Sequence, residues 1–148
     1  MADTNSLQRQ NRATWVIFAT KDAFDVRTKA ACLIPGDGVV KSGQWSRKLI
    51  INESLDHGSM LPYIHDAVAA GFAVMIMNPN DNHRMVDGEK VPIRGSKTSY
   101  EHAEYIYDTV IERTLAKRIA IIAHSHGGSS LWKWQKPTRR TSWTGYLL

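Results

Sequence analysis

Cysteine and long apolar segments are the first features that the sequence lacks. Cys32 is the single cysteine among 148 residues, so no disulfide can form within the chain. The first twelve residues contain no apolar run of the kind that signal peptides carry. No segment approaches the ~18 apolar residues of a membrane-spanning helix. These absences predict a soluble intracellular protein of a reducing compartment, with no membrane association.

Acidic residues are missing from the carboxyl-terminal end. Residues 132–148 carry Lys133, Lys136, Arg139 and Arg140 without any Asp or Glu, whereas the whole chain has a net charge of +5. The rest of the chain is therefore nearly neutral, and its charge does not indicate a nucleic-acid-binding face on the fold itself. Binding of RNA by the basic tail stays open as a separate hypothesis.

Three segments of different composition define the predicted organisation. Residues 1–13 are polar and predict a disordered lead-in. Residues 14–131 combine short apolar runs with polar stretches, as a folded domain does. Residues 132–148 hold three of the five tryptophans together with Pro137 and Gly145, and they show neither a helical nor a strand period. We expect them to form a basic tail that is unrelated to the domain.

The apolar runs predict an α/β fold with a parallel sheet. Their hydrophobicity is continuous rather than alternating, which is typical of strands covered on both faces by helices. Residues 43–58 cannot be assigned to a helix or a strand, and residues 82–97 predict a polar loop. The strand candidates are the runs at 15–19, 30–34, 72–77 and 119–123.

Two helices are predicted between these strands. The first opens at Pro62, which suits the first turn of a helix, and stops at Gly71. The second follows a capping box in which Thr98 is the N-cap and Glu101 is three residues behind it. Apolar residues then recur with helical spacing as far as Thr114.

The stretch IAIIAHSHGG resembles the turn that carries the nucleophile of α/β hydrolases. It places Ser125 directly after the last predicted strand and before a glycine-rich helix start. Such a turn forces unusual backbone angles on the serine, and small residues must surround it so that the strand and the helix can pass closely. Ala123, Gly127 and Gly128 meet this need. Ser125 is therefore the candidate nucleophile by position.

Catalysis by Ser125 needs a base and an acid, and the sequence does not supply them. In α/β hydrolases both follow the serine in chain order, but residues 127–148 contain no Asp, Glu or His. His124 and His126 flank the serine, and neighbours on a sharp turn point away from it. The sequence therefore favours a protein that is not an enzyme, and a serine hydrolase that uses Ser125 is the alternative.

Metal and nucleotide sites are not predicted. His124 and His126 have the spacing of a metal-binding pair, but no Cys, Asp or Glu lies close in sequence to complete a zinc site. The turn Gly36-Asp37-Gly38 begins like a dinucleotide-binding fingerprint, but Lys41 stands where the third glycine belongs. We therefore expect neither a metal nor a cofactor.

Four stretches in a fixed order resemble a known family. They are IPGDGVVKSGQWSRKLIINESLDHGSMLPYI, AGFAVMIMNPNDN, GSKTSYEHAEYIYD and IAIIAHSHGG. Together they are similar to the argonaute-binding Arb-two domain family, and the resemblance covers Trp15 to Leu131. The resemblance implies an α/β-hydrolase-like fold with no established catalytic activity. It also implies a nuclear protein, or one shared between nucleus and cytoplasm, with argonaute or chromatin-associated partners. Through them it would be linked to siRNA-dependent heterochromatin silencing and alternative splicing, with small RNA only an indirect partner.

The chain departs from the animal members of this family at the candidate site. Relatives carry His and Ser where this chain has Pro35 and Asp37, and Tyr where it has His126. The turn Gly36-Asp37-Gly38 corresponds to the turn that shapes the oxyanion pocket of hydrolases, and an acid there would repel a developing negative charge. The resemblance thus implies a member without catalysis.

The resemblance extends only as far as Leu131. We therefore expect an incomplete hydrolase-like sheet, with the second half of the domain missing, as in a truncated or pseudogene-like paralogue that has lost function in part or entirely. Loss of later strands would leave the strand before Ser125 as an exposed apolar edge, so we expect marginal stability and aggregation.

Overall fold

A computed structural model of the chain describes residues 14–25, 28–131 and 142–147. The predicted disordered lead-in, residues 1–13, lies outside the described residues, as do residues 132–141 of the predicted tail. Within the described part of the chain, no helix is long and apolar enough to cross a membrane.

In the described part of the chain, seven strands form two sheets. The main sheet has five strands in the order β1-β3-β2-β6-β7, in which β2, β3, β6 and β7 are parallel and β1 runs antiparallel to β3. Strands β4 and β5 form a separate antiparallel hairpin. The strands are β1 (Phe18–Ala19), β2 (Lys29–Ile34), β3 (Ala73–Ile76), β4 (His83–Val86), β5 (Glu89–Pro92), β6 (Arg118–Ala123) and β7 (Ser142–Leu147).

Helices connect the parallel strands, so the predicted mixed α/β fold with a parallel sheet is confirmed. The second predicted helix begins as proposed, because Thr98 accepts the N–H of Glu101 at 3.1 Å. After its first eight residues this helix widens into a π-helical turn. The helices are α1 (Arg47–Asn52), α2 (Leu55–Gly58), α3 (Leu61–Ala69), α4 (Ser99–Ile106) with the π-helical turn Tyr107–Ile111, and α5 (His126–Leu131).

The core lies on both faces of the sheet. On one face, side chains of β2, β3 and β6 pack against α4 and the π-helical turn; Cys32, Met75 and Ile121 are central there. On the other face, Leu33 and Val74 pack with the segments around α3. Burial on both faces explains why the strand sequences are continuously apolar.

The prediction for the carboxyl-terminal tail was wrong in one respect. Residues 142–147 form β7, which pairs in parallel with all six residues of β6. The outer edge of β6 is therefore covered, contrary to the expected exposed edge. Trp143, Thr144 and Tyr146 are strand-forming residues, but Gly145 interrupts them and the run does not alternate, so the strand was missed.

Two further segments differ from the sequence-based expectation. Residues 43–58, which could not be assigned, contain the short helices α1 and α2, and Ser46 and Ser54 cap their amino ends. Residues 82–97, expected to be a loop, contain the β4–β5 hairpin. Each element is only four to six residues long, which is too short for a periodic pattern to stand out.

Candidate functional site

Three loops meet at the carboxyl ends of the parallel strands. They are residues 35–40 after β2, residues 78–82 after β3 and residues 124–125 after β6, which lead into α5. Because these strands are neighbours in the sheet, the loops lie side by side along one edge. This is the edge at which open α/β sheets bind ligands, and it brings the predicted site residues together.

Ser125 lies on a sharp turn between β6 and α5. Its side chain is exposed and its φ is +52°, a left-handed conformation that costs a non-glycine residue free energy. The turn is tight because the N–H of Gly127 donates to the carbonyl of His124 at 3.0 Å, and that of Gly128 donates to Ser125 at 2.9 Å. Strained backbone of this kind is typical of a nucleophile elbow.

Close passage of α5 and β2 accounts for the small residues around the serine. A Cβ on Gly127 would lie 2.6 Å from the carbonyl oxygen of Pro35 and 3.0 Å from that of Ile34. Ala123 is fully buried in the sheet core just before the turn. Ser125 therefore lies on a sharp, closely packed turn, as a nucleophile elbow requires.

The two histidines beside Ser125 face other groups. His124 has a buried Nδ1 with no hydrogen-bond partner among the described residues, and its ring lies 6.1 Å from that of Trp45. His126 packs edge-on against Tyr100, with the ring centroids 5.2 Å apart. Within the described residues, no side chain forms a hydrogen bond with the hydroxyl of Ser125, and no carboxylate orients either histidine as a base.

The turn that faces Ser125 is built from Gly36, Asp37 and Gly38. Gly36 lies close to the serine, because a Cβ added to it would be in ordinary van der Waals contact with Ser125 Cβ, at 3.5 Å. The N–H of Gly38 donates to two oxygens at 3.0 Å, Oδ1 of Asp37 and Oδ1 of Asn80. This donor is therefore engaged and cannot serve as an oxyanion donor without breaking the turn.

Asn80, which was not among the predicted site residues, organises this turn. Its Nδ2 donates to the carbonyl of Gly36 at 2.8 Å and to that of Val40 at 2.9 Å. Its Oδ1 accepts from Gly38, so all three bonds go to one turn. The signal in the sequence is the run of asparagines after β3, because Asn side chains bind nearby backbone groups in turns.

The loop after β3 is itself anchored on the hairpin side. Asn82 Nδ2 donates to the carbonyls of Pro79 and Ser96, each at 2.8 Å. Arg84 on β4 forms an ion pair with Asp81, whose Oδ2 accepts from Nη2 at 2.6 Å. Hydrogen bonding to Asp81 raises the pKa of Arg84. The loop therefore links the hairpin to the turn at Gly36.

His102 is a buried histidine that the sequence analysis also missed. Its Nε2 accepts the N–H of Asn78 at 3.1 Å, so this nitrogen carries no proton. Nδ1 then carries the proton and donates to Ser96 Oγ at 3.0 Å, and the serine hydroxyl donates to the carbonyl of Asp81 at 3.0 Å. Burial lowers the pKa of His102 to about 4, although the charge of Asp81 opposes the shift. Its position beside Ala103, on the buried face of α4, was the available signal.

A shallow depression lies between the turn after β2 and the starts of α4 and α5. Its empty volume is about 180 Å³ including open solvent, so it is a surface depression and not an enclosed cavity. Asp37 is the one carboxylate on its walls. The walls include Ile34, Pro35, Asp37, Pro79, Ser99 and His126.

Neither a cluster of metal ligands nor a reactive thiol is present among the described residues. These residues contain no group of three or more His, Cys, Asp or Glu side chains that could hold a metal ion. Burial raises the pKa of Cys32 to about 12, so its thiol stays protonated at neutral pH and does not act as a nucleophile.

Comparison with known families identifies the family of the chain. A model of the Arb2 domain matches residues 7–140, which extends beyond Trp15–Leu131 at both ends. The chain belongs to the Arb2 domain family. In this Arb2 domain, the matched region contains the loops after β2, β3 and β6, and therefore the whole candidate site.

The Arb2 domain has curated relatives in distant organisms. It is 38% identical to a cotranscriptional regulator ARB2A homolog of Dictyostelium discoideum, over 76% of this chain and 37% of the relative. It is 41% identical to a FAM172 family protein homolog of Caenorhabditis elegans, over 76% of this chain and 34% of the relative. It is 31% identical to the human cotranscriptional regulator ARB2A, over 76% of this chain and 38% of the relative. The chain thus spans between about a third and two fifths of the length of these relatives.

One solved structure is similar to this Arb2 domain. The histone deacetylase Clr3 matches with a TM-score of 0.46 and 13% sequence identity, over 99% of this chain and 27% of that chain.

Proposed function

We propose that this Arb2 domain is a non-catalytic, partner-binding module with a hydrolase-like fold, acting in the nucleus in cotranscriptional regulation. Its partners in this proposal are argonaute or chromatin-associated proteins, and contact with small RNA is indirect, through argonaute. The proposal extends to the roles that the family resemblance implies, namely siRNA-dependent heterochromatin silencing and alternative splicing.

The observation that carries the proposal is an elbow without catalytic partners. Ser125 is exposed and strained, but the described residues place neither a base nor an orienting carboxylate on it. A serine hydroxyl is a weak nucleophile until a neighbouring base takes its proton. The facing turn adds a second obstacle, because Asp37 is acidic and the N–H of Gly38 is engaged.

The names of the relatives support the regulatory part of the proposal. Relatives in Dictyostelium, Xenopus and human are called cotranscriptional regulators or their homologs. A protein that regulates transcript processing through partners needs a binding surface and no active site. The loop edge around Asp37 and His126 is the surface that we assign to a partner, because α/β sheets present their ligand-binding loops there.

An activity-based probe tests the absence of catalysis. The full chain is treated with a fluorophosphonate, which labels serines that a base activates, and is compared with the variants Ser125→Ala and Ser129→Ala. We expect no labelling of any of the three. Labelling that disappears only in Ser125→Ala would overturn the non-catalytic assignment.

Affinity capture from nuclear extract tests partner binding. The tagged full chain is compared with Asp37→Lys, which reverses a charge at the loop edge, and with Asp66→Lys on α3, whose side chain is also exposed. We expect argonaute or chromatin-associated proteins to be enriched by the parent chain and by Asp66→Lys, and less by Asp37→Lys. The absence of such proteins from all captures would contradict the proposal.

A serine hydrolase is the second candidate function. The observation in its favour is the backbone of Ser125, since a φ of +52° at a non-glycine residue is costly and clusters at functional sites. The fluorophosphonate experiment decides between the two candidates. A scaffold with an unused elbow explains the same strain without catalysis, because close packing of Gly127 against the end of β2 favours the sharp turn.

A further inference from the structure

The sequence contains two Asp-Gly steps, Asp37-Gly38 and Asp87-Gly88, and both lie in exposed turns. An aspartate followed by glycine is prone to ring closure, because the glycine has no Cβ to obstruct attack by its amide nitrogen on the aspartate side chain. The two steps have the same covalent structure, so any difference between them comes from the fold.

Asp37 is arranged for this reaction. Its side chain is exposed, and Oδ1 accepts the N–H of Gly38 at 3.0 Å. The glycine has a φ of +104°, and apart from its chain neighbours no atom lies within 4 Å of the place where a Cβ would be. The side chain and the amide that react are therefore already close, and the attack requires Gly38 to release only its second hydrogen bond, to the side chain of Asn80.

We propose that Asp37 is a site of spontaneous isoaspartate formation, a modification that goes beyond the proposed function. The amide nitrogen of Gly38 attacks Cγ of the protonated Asp37 side chain, loses its proton, and expels the carboxyl oxygen as water to give a cyclic imide. Water then opens the imide. Attack at Cγ restores aspartate, whereas attack at the main-chain carbonyl carbon gives isoaspartate, in which the chain runs through Cβ and Cγ.

Asp87 is held away from this reaction by the hairpin. It has a φ of +52° and Gly88 a φ of +81°, the left-handed pair of a two-residue hairpin turn. The flanking residues Val86 and Glu89 are partners in the β4–β5 ladder. Ring closure at Asp87 requires the turn to leave this conformation and to give up ladder hydrogen bonds, whereas the turn at Asp37 is closed only by side chains.

The modification would alter the candidate site. Isoaspartate adds one atom to the main chain between Gly36 and Gly38, two of the three residues of this turn that bind Asn80. The turn must then release at least one of these bonds. Because Gly36 lies close to Ser125, the shape of the loop edge changes next to the elbow.

Ageing of the purified full chain tests the proposal, with the second Asp-Gly step as an internal control. Native and guanidinium-unfolded samples are incubated at neutral pH and digested with trypsin, which separates the steps into the peptides 30–41 and 85–90. Isoaspartate is located by electron-transfer fragmentation and quantified with a carboxyl methyltransferase specific for isoaspartate. We expect the ratio of isomer at 37 to isomer at 87 to be about fivefold higher in the native sample, since the hairpin must break backbone hydrogen bonds.

The outcomes are distinct. A native ratio equal to or below the unfolded ratio would overturn the proposal, as would a native chain that forms no isomer at 37 while the unfolded chain does. In the variant Asp37→Glu, ring closure needs a larger ring, so the isomer at position 37 should vanish while that at Asp87 stays unchanged. Persistence of the signal in peptide 30–41 of this variant would place the modification elsewhere.

Discussion

Asn80 holds the turn that contains Gly36 from the neighbouring strand's loop: its Nδ2 donates to the carbonyl of Gly36 at 2.8 Å. The same side chain donates to Val40 and accepts from Gly38. The turn that would form an oxyanion pocket in a hydrolase is therefore stabilised by a residue that follows β3, more than forty positions later in the chain. Hydrogen bonds from Asn80 therefore join the loop after β3 to the turn after β2.

Replacement of Asn80 by alanine should therefore destabilise the protein. Asn80→Ala removes three hydrogen bonds and leaves partly buried backbone groups unpaired, which should lower the free energy of unfolding by about 1–3 kcal/mol. Chemical denaturation followed by circular dichroism measures the change. Asn52→Ala, at an exposed position at the end of α1, is the matched control and should stay within about 0.5 kcal/mol of the parent. Equal effects of the two variants would contradict the role assigned to Asn80.

The long elements of the fold could be predicted from the sequence, and the contacts between loops could not. The buried strands and the capped helix that begins after Thr98 have patterns that span five or more residues. The position of Ser125 was predicted for the same reason, because the elbow is a local motif. Asn80 was missed because its three partners are distant in sequence, and pairing across loops leaves no periodic signal.

The short elements were missed for a different reason. The β4–β5 hairpin has only four residues in each strand, and the Asp87-Gly88 turn was its sole clear signal. Strand β7 lacks alternation, and its pairing with β6 is a tertiary contact. His102 could have been noticed, since a histidine on the apolar face of a helix must find partners for two ring nitrogens.

Gly127 provides a test of the close passage between α5 and β2. In Gly127→Ala the new methyl group would lie 2.6 Å from a backbone carbonyl oxygen, and backbone atoms cannot move aside cheaply. We expect a loss of about 1–3 kcal/mol in the free energy of unfolding, even though alanine favours a helix more than glycine does. Gly36→Ala is the control, because its methyl group would make ordinary contacts at 3.5 Å. If Gly36→Ala proved the more destabilising of the two, the packing described here would be incorrect.

His102 makes the stability of the protein depend on pH. Its pKa is about 4 in the folded protein and about 6.5 in an unfolded chain, so between these values the unfolded state binds more protons. The contribution of neutral His102 to the free energy of unfolding is fully present above about pH 6.5 and is lost as the pH falls toward 4. Between pH 7.5 and pH 5 the loss should be about 2 kcal/mol.

The variant His102→Gln isolates this contribution, because glutamine can still donate and accept but does not titrate in this range. The parent and the variant are unfolded with urea at several pH values, and the difference between their free energies is plotted against pH. The carboxylates contribute equally to both proteins and cancel. A difference that stays flat between pH 7.5 and pH 5 would show that His102 is not a buried neutral histidine.

The backbone strain at Ser125 should lower the free energy of unfolding by a measurable amount. Ser125→Gly removes the Cβ that makes a φ of +52° costly. Because the strain energy relieved exceeds the extra conformational entropy that glycine loses on folding, the variant should be more stable by about 0.5–1 kcal/mol. Ser129→Gly is the matched control on α5, where glycine weakens the helix and should cost about 0.5 kcal/mol. Thermal and urea unfolding show whether Ser125→Gly stabilises the protein and Ser129→Gly destabilises it. Destabilisation by Ser125→Gly would mean that the serine hydroxyl makes a contact that offsets the strain, and the elbow would then have to be reconsidered as a working site.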